Sequence, residues 1–196
     1  GKTTLLNLMG GLDTADGGNI LFEGRDISTF NRKERTNWHR KDIGFIFQAF
    51  ALLPDLTAFE NVDLAARLAG RSAAGAAVRS KELLQMMGLG GRMDHRIGEM
   101  SGGEQQRVAV ARSLAGSPRV ILADEPTGEL DHESGARILG IIRSLVEEDG
   151  ITVCMSSHDP AVRGYADRTY VLEDGLVAQE LKNHVESGTV GDHTTA

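Results

Sequence analysis

The chain has 196 residues, 28 of them Asp or Glu against 21 Lys or Arg, for a formal charge of −7. That length suits one domain with a sizeable core, and 40% apolar with 25% charged residues excludes a mainly disordered chain. No apolar run nears the ~18 residues of a membrane-spanning helix, and the acidic balance argues against indiscriminate binding to nucleic acid or anionic lipid.

The chain opens on Gly1-Lys2-Thr3-Thr4, without an initiator Met or signal peptide, which fits the tail of a longer motif. Leu5, Leu8, Met9 and Leu12 recur at i, i+3, i+4 and i+7 and predict an amphipathic helix, broken by Asp16-Gly17-Gly18. Ile20-Leu21-Phe22 with Gly24 predict a short strand and turn. Arg32 to Lys41 read as a polar, basic, solvated stretch. Ile43-Gly44-Phe45-Ile46-Phe47 predict a buried strand ending at Gln48. Residues 58–98, rich in Ala, Leu and Met, read as a helical insert with Met86 and Met87 packed inside it.

Strand signals return at Val120-Ile121-Leu122-Ala123 and at Ile151-Thr152-Val153-Cys154-Met155. Between them Ile138, Ile141, Ile142, Leu145 and Val146 predict a helix stopped by Gly150. Strand, helix, strand implies a right-handed crossover and a parallel sheet. The lone Cys154 excludes an internal disulfide framework and fits a reducing compartment. Tyr170-Val171-Leu172 and Leu176-Val177-Ala178 flank Asp174-Gly175, a hairpin signal, and the polar residues 182–196 read as a flexible tail.

Several residues carry two readings each. A P-loop, G-x-x-x-x-G-K-[ST], cradles phosphates on its amides, with Lys on the β/γ oxygens and the hydroxyl on Mg²⁺. Gly1, Lys2 and Thr3 match only its end, and alone they describe a chain terminus with a surface lysine equally well. Asp124-Glu125 close an apolar strand, where open α/β sheets bind ligands, or form a solvated acidic strand end. Ser101-Gly102-Gly103-Glu104 is a capping box and also an anion-binding helix start. Asp131 is a helix N-cap, while His158 and Gln48 are polar residues at strand ends, with Asp159-Pro160 opening a further helix.

Taken jointly and in this order, Lys2-Thr3, Gln48, Ser101-Gly102-Gly103-Glu104-Gln105-Gln106-Arg107, Asp124-Glu125-Pro126, Asp131 and His158 resemble the ATP-binding subunit of an ABC transporter, over the chain up to about Leu181. The resemblance implies an α/β P-loop NTPase core with a mostly parallel sheet (1–57 and 117–181) and an inserted helical, signature-bearing subdomain (58–116). It implies ATP and Mg²⁺ as ligands. Gly1, Lys2, Thr3 and Thr4 match the end of the Walker A loop, with Thr3 on Mg²⁺. Gln48 matches the Q-loop residue, near Mg²⁺ and the nucleophilic water. Ser101, Gly102 and Gly103 match the signature that completes the ATP site of the opposite subunit. Asp124 matches the Mg²⁺-binding Walker B carboxylate, Glu125 the catalytic base, Asp131 the D-loop and His158 the switch histidine.

Phe47-Gln48, Leu52-Leu53-Pro54, Glu60-Asn61-Val62 and Thr127-Gly128-Glu129-Leu130-Asp131 resemble the lipoprotein-releasing and macrolide-exporter branch, which more usually has Asn where Glu129 stands. The implied partners are a transmembrane permease subunit, met by Phe50, Leu52 and Leu53 unless these are local core, and a second copy in a homodimer. The implied place is the cytoplasmic face of the inner membrane, with no nucleic acid bound. An ABC importer subunit and a non-transport ABC-type ATPase share the signature and remain alternatives. Against the family pattern, the leading strands, the adenine-stacking aromatic and the first half of the P-loop are missing. The expectation is a gap beside the Asp124 strand and, for residues 1–196 alone, barely any ATP binding.

Overall fold

The computed structural model describes residues 1–182. The predicted tail from 183 onward lies outside the described residues, while Lys182 itself closes a strand. The chain divides into two compact units, Gly1–His158 and Asp159–Ala196.

The first unit begins with α1 (Lys2–Met9), whose single buried residue is Leu6. The predicted stripe is displaced: Leu5 and Leu12 are exposed. The helix ends at Gly10, and Gly11 turns left-handed with φ 62°, so Leu12 never reaches the helical face and Asp16-Gly17-Gly18 lies beyond the stop. A Cβ on Gly10 would stand 2.6 Å from Phe45 Cε1 and 2.9 Å from Leu122 Cδ1, so the helix end rests directly on the sheet. Leu6 joins Ile27, Phe30, Trp38, Ile43 and Leu122 in a small core.

Strands β1 (Leu21–Phe22) and β2 (Arg25–Asp26) pair antiparallel across Glu23-Gly24, with φ of 49° and 77°, the double left-handed turn that suits a twisted hairpin. The stretch read as merely solvated is helix α2 (Arg32–Lys41). Asn31 caps it, Glu34 returns the bond to the Asn31 N–H, and the basic last turn suits the carbonyl end of the dipole. Trp38 is its one buried residue, so no apolar period marks it.

Strands β3 (Ile43–Ile46), β4 (Val120–Asp124) and β5 (Thr152–Ser156) form a parallel sheet in the order β3-β4-β5. The expected gap beside the Asp124 strand is therefore not found. Residues 43–46 fill one flank of β4, and the crossover through α6 (His132–Asp149) lays β5 along the other. Helix α6 is capped by Asp131 and stopped by left-handed Gly150. It buries Ile138, Leu139, Ile142 and Leu145, with Ile141 and Val146 only half-buried.

The insert consists of α3 (Ala58–Leu68), α4 (Ala73–Met86) and α5 (Gly102–Ser113), with two short 3₁₀ turns between α4 and α5. Val62, Ala66, Leu83, Leu84 and Val108 fill a core continuous with Ile46 and Ile121 of the sheet. Met87 is 2% exposed, but Met86 is 56% exposed. Met86 stands ~100° round the helix from its neighbour, on the side that faces away from the core lined by Leu83, Leu84 and Met87. Gly44 admits no side chain: a Cβ there would lie 2.6 Å from the Ser113 carbonyl at the end of α5.

The second unit opens on a 3₁₀ helix, Pro160–Tyr165, that starts where Asp159-Pro160 predicts one, with Asp159 as its N-cap accepting from the Ala161 N–H. The hairpin of β6 (Arg168–Glu173) and β7 (Leu176–Lys182) follows as predicted, with a bulge between Val171 and Leu172.

Candidate functional site

Side chains at the carboxyl ends of parallel strands converge where no further backbone covers them. Asp124 ends β4 and stands in register with Ser156, the last residue of β5. The Ser156 hydroxyl donates to Asp124 Oδ1 at 2.5 Å and accepts from the Glu125 N–H at 3.1 Å. Glu125 adopts φ 48°, a left-handed conformation that costs a non-glycine roughly 1–2 kcal/mol. That kink is held by a second bond, from the Glu125 N–H to the Ser156 carbonyl at 3.2 Å. Sequence reasoning missed Ser156, because a serine two residues before His158 acquires this role only through its register with Asp124.

The Glu125 side chain is only 15% exposed, and both its oxygens face donors. Oε2 accepts from His158 Nδ1 at 2.6 Å, and Oε1 lies 4.0 Å from Lys2 Nζ. An ionised carboxylate only accepts, so the proton sits on Nδ1 and His158 turns its Nε2 away from Glu125. The His158 side chain is 72% exposed. Lys2 opens α1, and the first N–H groups of a helix have no partner within it. No side chain caps them, and Thr3 and Thr4 are exposed beside them.

Gln48 lies two residues beyond β3 and is exposed, its Nε2 donating to Glu129 Oε1 at 3.1 Å. The loop from Glu125 to Leu130 is tightened by Gly128 N–H to Glu125 O at 3.0 Å and Leu130 N–H to Thr127 O at 3.1 Å. The buried Gln106 side chain donates to Pro126 O at 2.5 Å and anchors that loop. Neither Glu129 nor Gln106 was singled out as a site residue from sequence.

Ser101 caps α5: its hydroxyl accepts from the Glu104 N–H, and Glu104 Oε2 accepts from the Ser101 N–H at 2.9 Å. The Ser101 N–H, with Arg92 beside it, holds the Glu104 carboxyl below the ordinary range, so the cap persists at neutral pH and loosens only in acid. A Cβ on Gly102 would stand 3.8 Å from Leu130 and 3.9 Å from the Glu129 carbonyl, and one on Gly103 3.2 Å from Ser134 Oγ. Ser101 to Gly103 thus abut the segment 129–134 rather than the Lys2–Glu125–His158 cluster. Asp131 accepts from the Ser134 N–H at 3.0 Å, which lowers its carboxyl pKa.

The oxygen ligands expected from the sequence are Thr3, Asp124 and Gln48, and among the described residues no group of three or more His, Cys, Asp or Glu is arranged to hold a metal unaided. That set fits Mg²⁺, which keeps waters and takes phosphate oxygens beside one or two protein ligands.

A parallel sheet with a lysine at an open helix start, facing carboxylates on the strand tips, defines the class of P-loop ATPases. A family model described as ABC transporter matches residues 1–128. The chain is 45% identical over 179 residues to the uncharacterized ABC transporter ATP-binding protein MJ1508 of Methanocaldococcus jannaschii, covering 91% of this chain and 80% of that one. It is 44% identical to the lipoprotein-releasing system ATP-binding protein LolD 2 of Rhodopirellula baltica, covering 93% of this chain and 74% of that one. Against the macrolide export ATP-binding/permease protein MacB of Brucella melitensis, identity is 42% and coverage 98% of this chain, which spans only 30% of that protein. The dimeric post-hydrolysis structure of the ATP-binding cassette MJ0796, bound to ADP and Pi, superposes with a TM-score of 0.85 at 38% identity, covering 96% of this chain and 82% of that one. The chain belongs to the ABC transporter family, as an ATP-hydrolysing subunit. No helix among its described residues is long and apolar enough to cross a membrane.

Proposed function

We propose that the protein hydrolyses ATP at the Lys2–Glu125–His158 cluster as one half of a homodimer, and drives a permease of the lipoprotein-release or macrolide-export type from the cytoplasmic face of the inner membrane. The observation that carries the chemistry is the half-enclosed Glu125 carboxylate, held between an imidazole and an ammonium at the strand tips. The names of the LolD and MacB relatives support the permease, and the dimeric MJ0796 cassette supports the pairing.

In this reading Gly1, Lys2, Thr3 and Thr4 receive the phosphates on the open start of α1. Incoming phosphate competes with Glu125 for Lys2, and the released carboxylate orients water and takes its proton. His158 keeps Glu125 aimed through its Nδ1–H, and only as the imidazolium, with both ring nitrogens protonated, does it also donate Nε2–H to the terminal phosphate. Mg²⁺, held by Thr3, Asp124 and Gln48, would neutralise charge on the phosphates when bound. Ser101, Gly102, Gly103 and Asp131, which stand apart from the cluster within one chain, complete the site of the second copy. Nucleotide touching both copies favours closure, and hydrolysis removes that differential binding.

Leu53 is the exposed part of the contact expected after Gln48. Its N–H is fixed to Asn61 Oδ1 at 2.8 Å while the residue is 48% exposed, whereas Leu52 packs against the core. A photo-crosslinker at Leu53, in the protein expressed from its complete reading frame in its own cells, is expected to capture an integral membrane protein. Adducts confined to the chain itself would contradict the permease reading.

A further inference from the structure

The contact between Gln48 and Glu129 joins the loop after β3 to the loop after β4, 81 positions apart. A carboxylate has no hydrogen to give. At 3.1 Å from Glu129 Oε1 the Gln48 amide must therefore present its NH₂ to Glu129 and turn its carbonyl oxygen the other way. An amide at position 129 would impose no such choice, since it meets either end of Gln48 equally well. The Glu129 backbone is in turn immobilised on both sides: the turn of Gly128 onto Glu125 precedes it, and half-buried Leu130, bonded back to Thr127, follows.

We infer that Glu129 is a positioning residue that sets which end of the Gln48 amide faces the reacting water and the phosphates, leaving the carbonyl oxygen as the group on offer. This rests on the reading of Gln48 as part of the ATP site. Glu129 touches neither substrate nor metal; it acts through Gln48 alone. A carboxylate at this position thus trades the freedom of an amide pair for one fixed orientation.

The test uses E129A, E129Q, Q48A and the Q48A/E129A double variant of the protein expressed from its complete reading frame. The Gln48 side-chain amide is observed by ¹⁵N spectroscopy alongside steady-state ATP hydrolysis. In the wild type the Gln48 NH₂ is expected to resonate apart from free amides, and in E129A to move to the free-amide position. E129A is expected to lower kcat about tenfold with KM nearly unchanged, E129Q to fall between it and wild type, and the double variant to be no slower than Q48A, because the two residues act as one unit. Loss of activity in Q48A with wild-type kcat in E129A would overturn the inference while leaving the Gln48 reading intact, as would losses that add in the double variant. Wild-type turnover in Q48A would overturn both.

Discussion

Glu125→Gln is expected to lower kcat by roughly 10²- to 10⁴-fold, the usual contribution of a positioned general base, while nucleotide affinity is kept or increased. The amide preserves the shape of the side chain but cannot accept a water proton. It also removes the negative charge facing Lys2 at 4.0 Å, which leaves that ammonium to the phosphates. The bond from His158 Nδ1 at 2.6 Å survives, since the amide oxygen still accepts it. The backbone kink at residue 125 is held by main-chain and Ser156 contacts and is unaffected. The variant is therefore expected to accumulate as an ATP-bound dimer by size-exclusion chromatography with labelled nucleotide. Turnover within a few-fold of wild type would remove Glu125 from the role.

The largest structural effect is expected at Arg112 on α5. Its guanidinium donates to the Phe50 carbonyl at 3.0 Å and to the Ala51 carbonyl beside it. Both of those residues are left-handed, with φ of 58° and 50°, and neither is glycine. Each such residue costs about 1–2 kcal/mol, and the grip on their carbonyls adds to the backbone bonds from the Phe50 N–H to Phe47 O and the Ala51 N–H to Ala49 O that hold the segment after Gln48. Burial alone pulls the guanidinium pKa below its ordinary value, and the carbonyl dipoles stand where a counter-charge would. Arg112→Ala leaves two carbonyls without their donor and opens a void. Relaxation of the strained pair offsets part of the loss, and the net destabilisation is expected to be about 2–4 kcal/mol. A urea melt of the full protein checks it. A midpoint equal to wild type would show that the segment keeps its shape without the clamp.

The sheet was legible where apolar runs are short and bounded: residues 43–46, 120–124 and 152–156 all became parallel strands. Their pairing was not: β4 is flanked on both sides by strands of this chain, β3 and β5, in chain order. The expected gap beside β4 was an error in that pairing. Helix α2 was missed because nine of its ten residues avoid the core, and its evidence lay in the Asn31–Glu34 cap. The opening helix was seen but rotated, since two glycines ended it before the periodic pattern had run its course.

In the site, residues standing at strand tips and helix starts were visible as motifs. The contacts that bring Lys2, Glu125 and His158 within 4.0 Å were not. Ser156 depends on register, Gln106 on a buried carbonyl at Pro126, and Arg112 on the unusual backbone of residues 50 and 51, none of which a one-dimensional pattern reports.

The central claim is that the hydrolytic cluster of one copy works only with the Ser101 segment of another. Lys2→Ala and Ser101→Phe, each made in the protein expressed from its complete reading frame, are expected to be inactive alone, one losing the phosphate contact and the other blocking the opposing face. Mixed in equal amounts, they form heterodimers in which one site keeps both an intact Lys2 and an intact Ser101. ATP hydrolysis by the mixture, measured after subunit exchange, is predicted to rise well above that of either variant. A mixture as inactive as its components, with heterodimers shown to be present, would contradict the account.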